Sequence, residues 1–196
     1  LEEKLKRLFD SIKNDPQNSS YTKEGIDPLY YANPAAKILI VGQAPGKKAQ
    51  NTKKVWNDQS GIRLRKWLDV TDRQFYESGK IAVLPMDFYY PGKGKHGDLP
   101  PRSEFAAKWH PQLLKEMPNI KLTILVGNYA QRKYLGLKGS VRLTEVVHAY
   151  EAYLPKYFPI VHPSALNGIW LKRNSWFEQL VVPELQKRVQ RIMDEN

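Results

Sequence analysis

At 196 residues the chain is long enough to bury a hydrophobic core without disulfide or metal staples, and its 41% hydrophobic and 26% charged residues exclude wholesale disorder. It has no cysteine, which excludes disulfides, cysteine-ligated zinc and iron–sulfur clusters, and no apolar run approaches the roughly 20 residues needed to span a bilayer. A net charge of +11 favours a polyanionic partner through attraction and counterion release, although a basic surface serving only solubility gives the same total.

In chain order, residues 2–13 predict a helix with Leu5, Leu8, Phe9 and Ile12 on one stripe; this charged segment reads as neither a signal peptide nor a membrane anchor. A polar stretch, 15–34, ends at Asn33-Pro34. Residues 37–41 (KILIV) then read as a short buried strand, and three similar runs follow at 81–84 (IAVL), 122–126 (LTILV) and 158–161 (FPIV). Helical patterns lie between them at 61–68, 104–117 and 129–135. The last helix is expected to start at Ser175 with a capping box to Glu178, to turn Phe177, Leu180, Val181, Leu185, Val189 and Ile192 to the core, and to kink or restart at Pro183. Strands alternating with helices predict one α/β domain over residues 1–196, a three-layer α/β/α sandwich around a central four-stranded, mainly parallel sheet.

In such a sheet ligands bind beyond the carboxyl ends of the strands, which directs attention to 42–46, 85–97, 127–128 and 162–168. The unusual chemistry of the sequence falls there. Gly42-Gln43-Ala44-Pro45-Gly46 is a tight turn followed by Lys47 and Lys48. It is not a phosphate-binding P-loop: the spacing is one residue short, and Lys48 occupies the Ser/Thr slot. By itself it would pass as an ordinary strand-to-helix turn. His162-Pro163-Ser164-Ala165-Leu166-Asn167 follows the last strand directly, and a lone histidine is more often structural than catalytic. The four histidines, His96, His110, His148 and His162, lack metal-ligand spacing, so no metal is expected.

The segment VGQAPG resembles the first motif of the uracil-DNA glycosylases, above all the branch typified by GEAPG. Trp56 stands ten residues after Gly46, where that branch carries the aromatic that stacks on a flipped base, and Gly61 matches a glycine of the same pattern without a gap. HPSALN resembles the second motif, HPS-(P/A)-L. The likeness runs from about Lys37 to Trp170. It implies a glycosylase that hydrolyses the N-glycosidic bond of a flipped, deaminated base, with uracil the first candidate, and leaves an abasic site.

The resemblance also implies roles. His162 would face the carbonyl oxygen on which charge grows, Gln43 would contact the base or position a water, and Gly42, Ala44, Pro45, Gly46 and Trp56 would wall the base pocket. Ser164 would grip a phosphate, Leu166 would wedge into the vacated stack beside Asn167, and Lys47, Lys48, Lys93 and Lys95 would meet the DNA backbone. Ile169 and Trp170 lie near the wedge, with simple packing the competing reading, favoured for Trp170. Three departures stand out. The family's base-reading asparagine slot falls near Leu84 or Pro85, where the nearest polar side chain, Asp87, becomes the candidate base contact. The iron–sulfur cluster common in the GEAPG branch has no cysteine to hold it. Motif one carries a neutral amide, Gln43, which cannot act as a general base near neutral pH.

The long basic loop 85–102 admits two readings, a DNA groove lined by Tyr89, Tyr90, Lys93, Lys95, His96 and Arg102, or a mobile surface loop. The expected partner is DNA, with no membrane, no cofactor and no nucleotide, and the expected state is a cytoplasmic, nucleoid-associated monomer. The alternative is a catalytically weak or inactive binder of damaged or modified bases on the same fold. A nucleotide hydrolase or binding protein using the same cleft is a weaker third reading.

Overall fold

Four apolar runs do form the strands of one sheet, in a computed structural model that describes residues 2–195. Helix α1 (Glu2–Lys13) precedes a short 3₁₀ turn at Pro16–Asn18 and helix α2 (Ser19–Lys23), both inside the polar stretch 15–34. Strand β1 (Ile38–Val41) leads through α3 (Lys47–Thr52), α4 (Gln59–Leu68) and α5 (Asp72–Glu77) to β2 (Ile81–Val83). A two-residue hairpin, β3 (Lys93–Gly94) and β4 (Gly97–Asp98), occupies the long basic loop before α6 (Phe105–Lys115). Then come β5 (Leu122–Val126), α7 (Asn128–Leu135), α8 (Leu143–His148), β6 (Tyr157–Ile160), α9 (Gly168–Arg173) and α10 (Val182–Asp194).

The sheet order is β2-β1-β5-β6, and every pairing is parallel. Because strand side chains alternate, each strand feeds both faces. Ile38, Ile40, Ile124, Val126, Phe158 and Ile160 pack under α4 and α10 against Leu64, Trp67, Leu68, Leu185 and Val189. Leu39, Val41, Ala82 and Leu125 face α1, α6 and α7 through Ile12, Phe105, Trp109, Leu113 and Ala130. Both faces are covered, which is why the strands read as unbroken apolar runs. The result is the expected α/β/α arrangement. No helix among the described residues is long and apolar enough to cross a membrane.

The last helix departs from expectation. The Ser175–Glu178 capping box does not form; Glu178 instead accepts a hydrogen bond from the Trp67 indole N–H at 2.9 Å. Residues Phe177–Val181 make a π turn, with the Val182 N–H bonded to the Phe177 carbonyl, before α10 begins. Pro183 has no N–H to offer the preceding turn, so the chain widens there rather than breaking. The extra residue rotates Leu180 out of the stripe, and it is 68% exposed instead of in the core.

Candidate functional site

The parallel sheet sends the loops after β1, β2, β5 and β6 to one edge, and hydrogen bonds lock them together there. The Met86 N–H donates to the Gly42 carbonyl at 2.8 Å and the Asp87 N–H to the Gln43 carbonyl at 3.1 Å. The Gly127 N–H donates to the Ile160 carbonyl at 3.0 Å, with Gly127 at φ +83°, a conformation that favours glycine. A cleft of about 170 Å³ opens among these loops, lined by Gly42, Ala44, Pro45, Gly46, Trp56 and His162 together with Pro85, Asp58, Asp98 and Ser164. Motif-one and motif-two residues thus share one cavity.

Trp56 is half-buried, its ring 5.5 Å from the His162 ring at an interplanar angle of 38°. Its backbone is left-handed at φ +52°, uncommon for a bulky residue, and the surroundings hold it there. The Trp56 carbonyl accepts hydrogen bonds from Arg65 Nη1 at 3.1 Å and the Tyr76 hydroxyl at 3.2 Å. Gly61 lets α4 abut this carbonyl, since a Cβ there would lie 1.7 Å from its oxygen. Gly42 fits against the indole face, where a Cβ would come within 3.1 Å. Arg65 is itself buried and bonded to Asp72 at 2.6 Å. These supports were invisible in the sequence, because nothing local marks Arg65 or Tyr76 as partners of a tryptophan backbone.

His162 is similarly set. Its Nδ1 accepts the Ser164 N–H at 3.1 Å, its carbonyl accepts the Asn167 side-chain amide at 2.8 Å, and Gly127 lies against its Cβ. An accepting Nδ1 means that the neutral ring carries its proton on Nε2, which has no hydrogen-bond partner among the described residues. Burial holds the pKa of His162 below the ordinary imidazole value, against the opposing negative charges of Asp58 and Asp98. The cleft therefore presents a neutral N–H donor beside a flat aromatic face.

Other expected residues fall differently. Gln43 does not wall the cleft: its Nε2 donates to the Leu99 carbonyl at 3.1 Å, tying motif one to the hairpin. Asp87, expected to contact the base, is 1% exposed and outside the cleft. Its oxygens take Arg102 Nε at 2.7 Å and Nη2 at 2.8 Å, together with the N–H groups of Tyr89 and Arg102 at 3.2 Å. A carboxylate so deeply buried must be paired, and the bidentate guanidinium does this. Arg102 and Tyr89 consequently leave the groove reading; Tyr89 is buried and stacks on Tyr21 at 4.3 Å.

Lys47 and Lys48 open α3, while Lys93, Lys95 and His96 are exposed on the hairpin. Among the described residues none of these lysines has an ion-pair partner. The Ser164 hydroxyl caps the turn Ala165–Asn167 by accepting the Leu166 N–H, and its carbonyl takes Arg63 Nη1 at 3.3 Å. Leu166 is 81% exposed and Ile169 68%, so Ile169 is not a packing residue, whereas Trp170 packs on Trp176 and Phe177 and donates to Thr144.

Two groups that the sequence did not single out for the site complete its walls. Asp58 and Asp98 enter from the α4 N-terminus and the hairpin. Behind Pro85, buried His110 donates from Nε2 to the Pro85 carbonyl at 2.8 Å and pairs Nδ1 with the Tyr134 hydroxyl. Burial, with a smaller push from Lys133, pulls its pKa from 6.5 down to about 4. Unfolded His110 takes up a proton below about pH 6.5 while the folded residue stays neutral, so stability is full above that pH and falls as pH drops toward 4. The loss from this residue is expected to reach about 3 kcal/mol. Urea unfolding at pH 7 and pH 4.5 checks it: His110→Phe should show a smaller loss between the two, and an unchanged loss would contradict the assignment.

No group of three or more histidine, cysteine, aspartate or glutamate side chains able to hold a metal ion occurs among the described residues. The absence of cysteine leaves no thiolates for the iron–sulfur cluster of the GEAPG branch. The family model for the Uracil DNA glycosylase superfamily matches residues 29–186, which span all four sheet strands and both loops of the cleft. With that match over most of its length and a parallel α/β fold behind the cleft, the chain belongs to the uracil DNA glycosylase superfamily and has a DNA glycosylase-type function in general terms.

Proposed function

We propose that the cleft receives a nucleobase swung out of DNA and that the protein hydrolyses its N-glycosidic bond, leaving an abasic site. The observation that carries this reading is the pairing of Trp56 with a neutral His162 whose Nε2–H is free. The indole offers a stacking face worth roughly 1–3 kcal/mol. The imidazole donates to a base carbonyl more strongly as the departing base becomes anionic, so it stabilises the transition state more than the ground state. Uracil and other deaminated bases present such a carbonyl. Leu166 fills the gap left in the stack, and Ser164 with Lys47, Lys48, Lys93 and Lys95 holds the phosphates. The protein acts as a monomer in the cytoplasm.

A second reading, a base-binding protein with little turnover, is favoured by one observation: motif one holds an amide, turned away to Leu99, where an acid would activate water. The two readings separate in one assay. Single- and double-stranded oligonucleotides carrying uracil, hypoxanthine or xanthine are incubated with the protein and treated with alkali. Strand cleavage at the modified base is the expected result. Salt-sensitive binding without cleavage would replace the first reading by the second.

A further inference from the structure

We propose that Asp98, carried to the cleft by the β3–β4 hairpin, is the carboxylate that takes the proton of the attacking water, and that Gln43 is the positioning residue that holds the hairpin in place. The inference rests on the base-excision reading. Asp98 reaches the cleft wall from the second strand of a hairpin in which Lys93 pairs with Asp98 and Gly94 with Gly97. The Leu99 N–H closes back on the Gly92 carbonyl at 2.9 Å, and Gly92 sits at φ +102°. The adjacent Leu99 carbonyl is the atom that Gln43 grips, so the motif-one side chain and the hairpin carboxylate form one unit across 56 residues of sequence. The Tyr90 hydroxyl at 3.4 Å from Asp98 Oδ1 steadies the side chain.

The other carboxylate in the wall is less free. Asp58 Oδ1 accepts the Gly61 N–H at 2.8 Å and caps α4, the helix that supports Trp56. That oxygen belongs to the frame. Asp98 has no such backbone duty, and its negative charge acts on His162.

In the step itself the water oxygen bonds to C1′ of the deoxyribose while the C1′–N bond breaks. The bonding pair leaves with the base, whose carbonyl is held by His162 Nε2–H, and the water proton passes to Asp98. The same negative charge favours the positive character that builds on the sugar as the base departs. The proton on Asp98 then returns to solvent or to the released base. A general base of this kind contributes typically 10²–10⁴-fold.

The test uses single-turnover cleavage of whichever modified oligonucleotide the wild type processes best, with binding measured on the same duplex. Asp98→Asn is expected to slow cleavage by about 10²–10⁴-fold with little change in DNA affinity or thermal midpoint. Asp98→Gly should recover part of the rate when formate is added, because a small carboxylate can occupy the vacated space. Gln43→Ala should be slowed less and should not respond to formate. Wild-type rates in Asp98→Asn, alongside a slowed His162→Ala, would overturn the inference and leave base excision standing. Slow Asp98→Gly with no response to formate would assign the residue a structural role and overturn it as well. A wild type that cleaves none of the oligonucleotides would remove both the reading and the inference.

Discussion

Replacing His162 by alanine is expected to lower the single-turnover rate of base excision by about 10²–10³-fold, the typical cost of removing one preorganised donor to a developing anion. Affinity for the same DNA should change little, because Leu166 and the lysines proposed to meet the strand are not altered. The size of the effect follows from the state of the ring. With Nδ1 occupied by the Ser164 N–H and the pKa depressed by burial, the imidazole enters the reaction neutral, with its single proton on Nε2. Excision should therefore not decline as pH rises through 6.5 to 8, since the neutral ring keeps that proton. A rate that fell with His162 ionisation over this range would mean that the cation is the working form. His162→Gln offers an amide donor from a different reach and should retain more activity than alanine. Equal rates in wild type and His162→Ala would remove His162 from the chemistry.

The second large effect concerns a residue with no polar chemistry. Gly61→Ala should cost about 3 kcal/mol or more, because the new Cβ would lie 1.7 Å from the Trp56 carbonyl oxygen and 2.5 Å from its carbon, and both are backbone atoms. Relief requires α4 to draw back or the Trp56 backbone to leave its left-handed conformation. Either movement breaks the hydrogen bonds from Arg65 and Tyr76 and takes the indole away from His162. In a chain of this size the loss corresponds to a fall of roughly 6–12 °C in Tm. The control is Gly168→Ala at the start of α9: it has a helical φ of −58° and open space around the added methyl, so its stability should stay within about 0.5 kcal/mol of wild type. Comparable losses in the two variants would show that the Trp56–Gly61 contact is not the cause.

Much of this could be read from the chain alone, for a definite reason. A parallel sheet covered on both faces demands unbroken apolar strands, so IAVL, KILIV, LTILV and FPIV announced themselves, and the polar residues after them were confined to one edge by the strand direction. Leu180 departs from the expected stripe because helical periodicity assumes a constant turn, and the π turn before Pro183 inserts one extra residue. Asp87 lies away from the cleft because Arg102, fifteen residues on, captures it, and nearness in sequence to β2 carries no sign of that pairing.

By itself the sequence determined the layers, the strand ends and the two loops that could carry chemistry, since hydrophobic period and turn residues are local properties. Only the tertiary structure decided what those loops do with their side chains. It turned Gln43 to Leu99, brought Asp58 and Asp98 to the cleft, set the proton of His162 on Nε2 and locked the Trp56 backbone through Gly61, Arg65 and Tyr76. Each of these depends on distances between segments far apart along the chain. Hydrogen bonds and steric contacts of a few ångströms are settled only when the packed core fixes those distances.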